Sequence, residues 1–401
     1  MLRIGLMGAP TNSGNLGCVA LTYSLISVLE NIRKTLNAEF TYVLFEWKYN
    51  QESFNALIKN INISADTLEY SPYTLISNPI KNIYHFTVLN KMKKKIKSCD
   101  LIIDITEGDS FSDIYGDEWF DGRTNIKLFV EKMGIPLILA PQTYGPYLKK
   151  QNELKAIKAI KGAYGIMTRD EQSYEVLNNK LHTDPVYTTD LAFWLPYKKD
   201  FQRKNNKKRI GLNVSRLLSQ EGNEVGEKRF SLTVNYQRYI EEIILSLSAS
   251  EKNELYLIPH VKGDHQQHIK LKEKYPSLNL IDPFSDPVEA KSFISTMDVF
   301  IGARMHGTIA AFTSGTPCIP TAYSPKFSGL FKGFGYDPII DLTTMDTETA
   351  VKHTLSYIDD LGNLKRKTEE CRLYADKYVL LIQNVIENWI NEIVGRKENE
   401  V

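Results

Sequence analysis

The segment Met297–Lys326 constrains the fold more than any other part of the chain. Its sequence, MDVFIGARMHGTIAAFTSGTPCIPTAYSPK, opens with a short apolar run, Val299–Ile301, which predicts a buried strand of a parallel sheet. A turn bounded by glycines, Gly302–Gly307, follows at once and leads into a helix of small residues. A strand, a glycine turn and a helix start form the usual anion site of an open α/β sheet, because backbone N–H groups and the helix dipole converge there. The segment therefore predicts an α/β protein with a ligand site at this turn.

Several side chains of this segment suit a phosphate or a carboxylate. Arg304 and His306 lie on the glycine turn, and Tyr323 and Lys326 follow the next predicted strand. Arginine holds such anions through two parallel hydrogen bonds, and histidine exchanges a proton near neutral pH. A purely structural interpretation is also open: Arg304 would brace a carboxylate, His306 would cap a helix and Lys326 would begin one.

Short apolar runs alternate with helical stretches along most of the chain, which predicts parallel sheets with right-handed crossovers. The charged segment Pro196–Arg209, PYKKDFQRKNNKKR, separates two such series and is predicted to be a linker. We therefore predict an N-terminal Rossmann-like domain over 1–195, the linker over 196–209, a C-terminal Rossmann-like domain over 210–345 and C-terminal helices over 346–401.

Composition narrows the functional class. Hydrophobic residues make up 42% of the 401 residues and charged residues 24%, as in ordinary globular proteins. The net charge of +1 gives no reason to expect nucleic acid as a partner. The cysteines are far apart, no apolar run approaches the ~20 residues of a membrane helix, and the first residues lack the apolar stretch of a signal peptide. We predict a cytoplasmic protein, and the sequence leaves a homo-oligomer open.

The chain resembles the polysaccharide pyruvyl transferase family in motifs that occur in order over most of residues 1–335. The family's R-x-H, G-x-P and downstream Tyr and Lys correspond to Arg304, His306, Gly315, Pro317, Tyr323 and Lys326. Further similar motifs are G-N-x-G at Gly14–Gly17, a Gly-rich acidic loop in Asp100–Tyr115, R-D-x-x-S from Arg169 and D-x-A-F from Asp190. Many members carry an acidic residue after G-N-x-G, where this chain has Cys18, so an acid or base role there is unsupported.

The resemblance implies two Rossmann-like parallel-sheet domains facing a cleft, the GT-B-like architecture, followed by a C-terminal helical segment. It also implies a pyruvyl transferase that moves the enolpyruvyl group of phosphoenolpyruvate onto a sugar of a surface polysaccharide or its precursor, forming a pyruvate ketal. The acceptor would be a sugar nucleotide, a lipid-linked glycan or a glycan end. Phosphoenolpyruvate is then the donor substrate, and we expect no cofactor and no metal.

This chemistry suggests roles for the cationic residues. His306 is the candidate general acid for the methylene carbon of phosphoenolpyruvate, because histidine can hold a proton near neutral pH. Arg304, with Arg169 or Arg216, would hold the phosphate and the carboxylate, and Lys326 would neutralise the departing phosphate. For Arg169, a salt bridge to a neighbouring carboxylate is the alternative.

Two loops are candidates for acceptor binding on the N-terminal domain. The glycine turn TNSGNLG contains Asn15 and Gly17, and its alternative is a tight strand-to-helix connection. Glu107, Asp109 and Asp113 surround the second loop, where they could bind sugar hydroxyls, supply a general base or cap a helix. We keep Asp109 as a candidate substrate contact and leave the base unassigned.

Other interpretations remain open on the sequence alone. The spacing H-x4-H-x2-H at His260, His265 and His268 could bind a metal, but we expect a solvated loop and helix start instead. A GT-B glycosyltransferase that uses a nucleotide sugar would need a similar cationic cleft. A glycan-binding subunit without catalytic activity is the third possibility.

Overall fold

The computed structural model describes residues 1–71, 83–199, 205–219 and 230–399. The described chain packs as two compact units. The first comprises Met1–Ser13, Leu21–Trp194 and Tyr378–Val401, and the second comprises Gly14–Ala20 and Leu195–Lys377. Residues 200–204 of the predicted linker lie outside the described residues. The units reflect packing alone, so the domain limits at 195, 209 and 345 stay a prediction.

The first unit is built on a parallel sheet. Within the described residues it has seven strands in the order β3-β2-β1-β4-β5-β6-β7. The strands are β1 Leu2–Met7, β2 Phe40–Glu46, β3 Ala65–Glu69, β4 Leu101–Asp104, β5 Leu137–Gln142, β6 Gly165–Thr168 and β7 Val186–Tyr187. The strand order reverses between β1 and β4, and open α/β sheets bind ligands at such a switch point.

The second unit repeats this plan. Its sheet has six strands among the described residues, in the order β10-β9-β8-β11-β12-β13, and all pairs are parallel. The strands are β8 Lys208–Asn213, β9 Asn253–Leu257, β10 Asn279–Leu280, β11 Val299–Gly302, β12 Cys318–Ala322 and β13 Ile340–Asp341. Every residue of β11 and β12 is buried, as expected for parallel strands covered on both faces. The switch point lies between β8 and β11.

Helices connect the strands and cover the sheets. Up to Trp194 they are Leu16–Thr35, Gln51–Ile61, Ile83–Lys97, Asp117–Lys132, Lys150–Lys161 and Glu171–Glu175, with a π-helix at Val176–Lys180 and a 3₁₀ helix at Leu191–Trp194. The later helices are Arg216–Ser219, Tyr236–Ser248, Asp264–Lys274, Pro287–Ile294, Met305–Thr313, Pro325–Lys332, Thr347–Asp359 and Leu361–Asn399. Several begin with side-chain caps, as at Asn235, Asp286 and Asp346.

The end of the long C-terminal helix packs on the first unit. The indole of Trp389 lies against Gly165, where an added Cβ atom would come within 2.7 Å of the ring. Trp194 donates its indole N–H to the carbonyl of Val379 at 2.9 Å. These contacts explain why Tyr378–Val401 joins the first unit. The predicted class, two Rossmann-like parallel-sheet units with a C-terminal helical segment, is confirmed.

Candidate functional site

Asn213 joins the strand ends at the switch point of the second unit. It is the last residue of β8, and its side-chain oxygen accepts the backbone N–H of Arg304 at 2.9 Å. Its backbone carbonyl accepts the N–H of Ala303 at 3.2 Å, and its amide group donates to the carbonyl of Ile258 at 2.9 Å. Because Asn213 is only 2% exposed, these bonds fix the start of the predicted R-x-H turn.

Arg304 is held by a buried carboxylate. Its Nε donates to Oδ2 of Asp264 at 3.0 Å and its Nη2 donates to Oδ1 at 2.7 Å, a two-point geometry that fixes the guanidinium plane. Burial alone would lower the pKa of Arg304, but the hydrogen bonds and charge of Asp264 outweigh it and raise that pKa. Arg304 therefore does brace a carboxylate, as the structural interpretation expected. The pairing uses Nε and Nη2, which leaves Nη1 for a ligand.

Arg216 borders the same carboxylate. Its backbone N–H donates to Oδ1 of Asp264 at 3.0 Å, and its Nη1 lies 3.9 Å from the place of a Cβ atom on Gly263. Asp264 is fully buried, whereas Arg216 is exposed. Two guanidinium groups and one carboxylate leave this corner with a net positive charge, which suits an anionic ligand.

His306 lies in the first turn of the helix Met305–Thr313 and packs on Gly17. A Cβ atom on Gly17 would come within 2.6 Å of Cγ of the His306 ring and would overlap its Nδ1. The N–H of Gly17 is held by the side-chain oxygen of Asn15 at 3.0 Å. The two sequence motifs, G-N-x-G and R-x-H, therefore meet at one point of the second unit.

The glycine turn is anchored to the loop after β9. The N–H of Leu16 donates to the carbonyl of His260 at 3.2 Å, and the N–H of Lys262 donates to the carbonyl of Gly14 at 2.8 Å. Asn15 and Val261 form an antiparallel bridge. The turn, which the sequence predicts on the N-terminal domain, thus packs with the second unit, because its backbone hydrogen bonds are made there.

His260 is a buried residue of this site. From the sequence it was considered only as part of a metal site or of a solvated loop. It is 3% exposed, and burial, then the charges of His306 and Arg304, lower its pKa to about 3. Neither ring nitrogen of His260 has a hydrogen-bond partner among the described residues. It therefore stays neutral beside His306, and an uncharged imidazole there does not oppose the protonation of its neighbour.

The expectation of a solvated histidine loop is wrong for His260 and His268. His268 is fully buried, donates from Nε2 to the carbonyl of Val214 at 3.0 Å, and has its pKa lowered by burial to about 4. Within the described ranges, no group of three or more His, Cys, Asp or Glu side chains could hold a metal ion. The absence of a metal stays a prediction.

Tyr323 and Lys326 follow β12, which pairs with β11, the strand that precedes Arg304. The Tyr323 ring contacts Phe230 and Phe327 with centroids 4.9 Å and 6.1 Å apart, and its phenol contributes to the raised pKa of Arg304. Lys326 is half-buried in the first turn of the helix Pro325–Lys332. Both residues thus lie at the carboxyl edge of the same sheet.

Arg169 lies in the first unit and takes part in a buried network. Its Nη1 is 2.6 Å from Oδ2 of Asp190, with side-chain exposures of 3% and 1%, and its Nε donates to Thr143 at 3.2 Å. Asp170 caps the next helix by accepting the N–H of Ser173. The R-D-x-x-S and D-x-A-F motifs thus pair with each other, which favours a structural role for Arg169.

Two carboxylates of the acidic loop in the first unit, Asp113 and Asp109, differ in their contacts. Asp113 accepts the backbone N–H groups of Leu148 and Lys149 at 2.7 Å and 3.0 Å, which outweighs burial and lowers its pKa. Asp109 accepts a hydrogen bond from Tyr115 at 3.2 Å and is half-buried. Asp113 therefore holds the loop together, while the role of Asp109 as a substrate contact stays a prediction.

Most predicted site residues belong to one unit. Those in the second unit are Asn15, Gly17, Arg216, Arg304, His306, Tyr323 and Lys326, whereas Arg169 and Asp109 lie in the first. Asp264 was missed as the partner of Arg304, although it stands beside the histidines that the sequence analysis weighed as a metal site. The position of Asp264, at the start of the helix that follows β9, could have indicated that it lies at the same edge of the sheet as Arg304.

Comparison with protein families gives one match that covers most of the chain. Residues 15–325 match the family model described as polysaccharide pyruvyl transferase. No curated protein matches the chain. Among the described helices, none has the length and apolar content that crossing a bilayer requires.

Several solved structures share the fold over almost their whole length. They are a UDP-GlcNAc 2-epimerase from Neisseria meningitidis bound to UDP-GlcNAc (10% identity, TM-score 0.60, 96% of this chain and 100% of that chain), MnaA from S. aureus in a co-structure with UDP (11%, 0.59, 98% and 97%), and an α,α-trehalose-phosphate synthase (UDP-forming) from Burkholderia vietnamiensis (8%, 0.52, 99% and 100%). At such identities the likeness concerns the fold alone, and it agrees with the GT-B-like architecture.

Proposed function

Because the chain belongs to the polysaccharide pyruvyl transferase family, we propose that it moves the enolpyruvyl group of phosphoenolpyruvate onto a sugar of a surface polysaccharide or its precursor, forming a pyruvate ketal. The observation that carries the proposal is the switch point of the second unit. There Asp264 orients Arg304 and borders Arg216, and His306 lies in the first turn of the helix that follows. The proposed compartment is the cytoplasm.

The donor fits the charge of this corner. Phosphoenolpyruvate carries a phosphate and a carboxylate, and the second unit presents Nη1 of Arg304, the exposed Arg216 and the half-buried Lys326 at the carboxyl edge of its sheet. Guanidinium groups bind both anions, and the N-terminus of the helix Met305–Thr313 adds a positive dipole. Asp264 keeps Arg304 from turning away before the ligand arrives, which lowers the cost of binding.

We propose His306 as the general acid. Its Nδ1 faces Gly17, so Nε2 is the nitrogen that would give a proton to the methylene carbon of phosphoenolpyruvate. The C2 cation formed in this step is attacked by one sugar hydroxyl, which loses its proton to a base. The C2–O bond to phosphate then breaks and inorganic phosphate leaves. A second sugar hydroxyl attacks C2, loses its proton to a base or to solvent, and closes the ketal ring. Lys326 would stabilise that leaving group.

A GT-B glycosyltransferase is the competing function, since proteins of this fold have structures with UDP or UDP-sugars. The fold does not distinguish the two. The R-x-H turn with Tyr323 and Lys326 favours phosphoenolpyruvate, because these residues belong to the part of the chain that the family model matches, or adjoin it.

The test is a reaction of the purified protein with phosphoenolpyruvate and a panel of glycan acceptors. We expect release of inorganic phosphate only with the correct acceptor, together with a ketal methyl signal in the product NMR spectrum. In D₂O that methyl group should carry deuterium, since the proton comes from the solvent through His306. Release of UDP from a nucleotide sugar, without consumption of phosphoenolpyruvate, would show that the protein is a glycosyltransferase instead.

A further inference from the structure

The switch point of the first unit has a strained loop of its own. β1 ends at Met7 and β4 at Asp104, and the N–H of Glu107 donates to the carbonyl of Gly8 at 2.8 Å. Thr106 and Glu107 have φ angles of 42° and 53°, which non-glycine residues seldom adopt and which cost about 1–3 kcal/mol each. The backbone at Thr106 and Glu107 is therefore strained, and this strained turn carries the side chain of Glu107 at the switch point.

Glu107 is part of a cluster of aromatic and charged side chains. It forms an ion pair with Arg123, whose guanidinium stacks on Trp119 at 3.6 Å and lies 5.1 Å from the ring of Trp47. The two indoles contact each other edge to face with centroids 5.5 Å apart. Trp47 directly follows β2, so the cluster stands at the carboxyl edge of the sheet.

The cluster has buried donors that the described residues do not satisfy. Arg123 is 6% exposed, yet its Nη1 has no hydrogen-bond partner among the described residues, and the same holds for the indole N–H of Trp119. A buried donor without a partner costs about 1–3 kcal/mol, so native proteins seldom leave one unless a ligand or water satisfies it. A water or a ligand with hydrogen-bond acceptors would satisfy these donors.

The charge and shape of the cluster favour a neutral ligand that has both an apolar face and polar groups. The carboxylate of Glu107 cancels the charge of Arg123, so the pair attracts no anion on balance. The half-buried rings of Trp47 and Trp119 offer apolar faces beside polar edges. A pyranose matches this combination, because its hydroxyls ring an apolar C–H face and it carries no charge.

We propose that Trp47, Glu107, Trp119 and Arg123 form a binding subsite for a neutral pyranose. Its assignment as the acceptor subsite rests on the proposed pyruvyl transfer, whereas the binding itself does not. Glu107 accepts a hydrogen bond from a sugar hydroxyl, Nη1 of Arg123 donates to another hydroxyl, and the indoles cover the apolar face.

The test measures sugar binding without phosphoenolpyruvate. Saturation-transfer NMR is recorded with the methyl glycosides of galactose, glucose, mannose and their N-acetylated forms, on wild type, Glu107→Gln and Trp47→Ala. We expect at least one glycoside to bind wild type. Glu107→Gln should lose about tenfold in affinity, the value of one good hydrogen bond, and Trp47→Ala about as much, because it removes an aromatic face that covers the sugar. Glu118→Gln removes an exposed carboxylate next to Trp119 in the chain and serves as the matched control, which should bind as wild type does.

Two outcomes would overturn the subsite: no glycoside of the panel binds wild type, or a glycoside binds equally well to wild type and both variants. Trp47→Phe, which keeps an aromatic ring, replaces Trp47→Ala if the alanine variant does not fold. Titration of the same proteins with phosphoenolpyruvate separates the two proposals. Donor binding should be unchanged in Glu107→Gln, and its absence from wild type would refute pyruvyl transfer while leaving the sugar result to decide the subsite.

Discussion

The imidazole of His306 rests on the backbone of Gly17, so closely that a Cβ atom on Gly17 would lie 2.6 Å from its Cγ. The two residues are far apart in sequence, and the contact brings the G-N-x-G turn to the R-x-H turn within one unit. Glycine is required at position 17 by this close approach. The position of the proposed general acid therefore depends on a residue near the other end of the chain.

We predict that Gly17→Ala displaces His306 and lowers pyruvyl transfer by at least about tenfold, since general acids contribute about 10²–10⁴-fold and depend on their position. Gly14→Ala is the matched control, because a Cβ atom on Gly14 meets nothing within 4 Å. Steady-state kinetics with phosphoenolpyruvate would check both variants. Equal activity of Gly17→Ala and Gly14→Ala would show that the position of His306 is not critical.

Asp264→Asn tests the carboxylate that holds Arg304. The substitution keeps the shape of the side chain but removes the negative charge of the fully buried Asp264 from its pair with Arg304, whose side chain is 17% exposed. Breaking a fully buried pair costs about 3–5 kcal/mol, which is the upper bound here. We expect a lower free energy of unfolding in urea and weaker binding of phosphoenolpyruvate. Asp282→Asn, at a side chain that is 96% exposed, is the control. If Asp264→Asn were as stable as this control and bound phosphoenolpyruvate as wild type does, Asp264 would not hold Arg304 in place for the ligand.

His260 should make the stability of the protein depend on pH. Its pKa is about 3 in the folded chain against 6.5 as the ordinary value, so the unfolded chain binds the additional proton and stability falls as the pH drops below about 6.5. Between pH 7 and pH 5 this single group should cost about 2 kcal/mol. His260→Gln, which does not titrate, should lose correspondingly less stability over that interval.

Urea unfolding of wild type and His260→Gln at both pH values measures the difference, with His353→Gln at an exposed histidine as the control. If wild type and His260→Gln lost the same stability between pH 7 and pH 5, His260 would not be buried in its neutral form.

The sequence predicted the strands and turns more completely than the contacts between side chains that are distant in the chain. Short apolar runs such as Val299–Ile301 predicted the strands, because parallel strands covered on both faces are apolar throughout. The glycine turn predicted the edge of the sheet at which Arg304 and His306 lie, since such turns connect a strand to a helix start. These features are local, so they can be predicted from a single sequence.

Contacts between distant segments could not be predicted in this way. Nothing in the local pattern pairs Arg304 with Asp264 or Gly17 with His306, because each pair depends on how separate strands are ordered in the sheet. The burial of His260 was missed for the same reason: its position in the loop after β9 suggested solvent, whereas the turn Gly14–Leu16 forms backbone hydrogen bonds with that loop. Arg169 was expected at a ligand, and its partner, Asp190, lies beyond the range of a local motif.

The most direct measurement is a calorimetric titration of phosphoenolpyruvate against wild type, Arg304→Ala and His306→Gln, with UDP-sugars titrated in parallel. We predict that wild type binds phosphoenolpyruvate and that His306→Gln still binds it but does not turn it over. Arg304→Ala should lose at least about tenfold in affinity, or about 1.4 kcal/mol. Equal affinity of wild type and Arg304→Ala for phosphoenolpyruvate, or binding of a UDP-sugar alone, would contradict it.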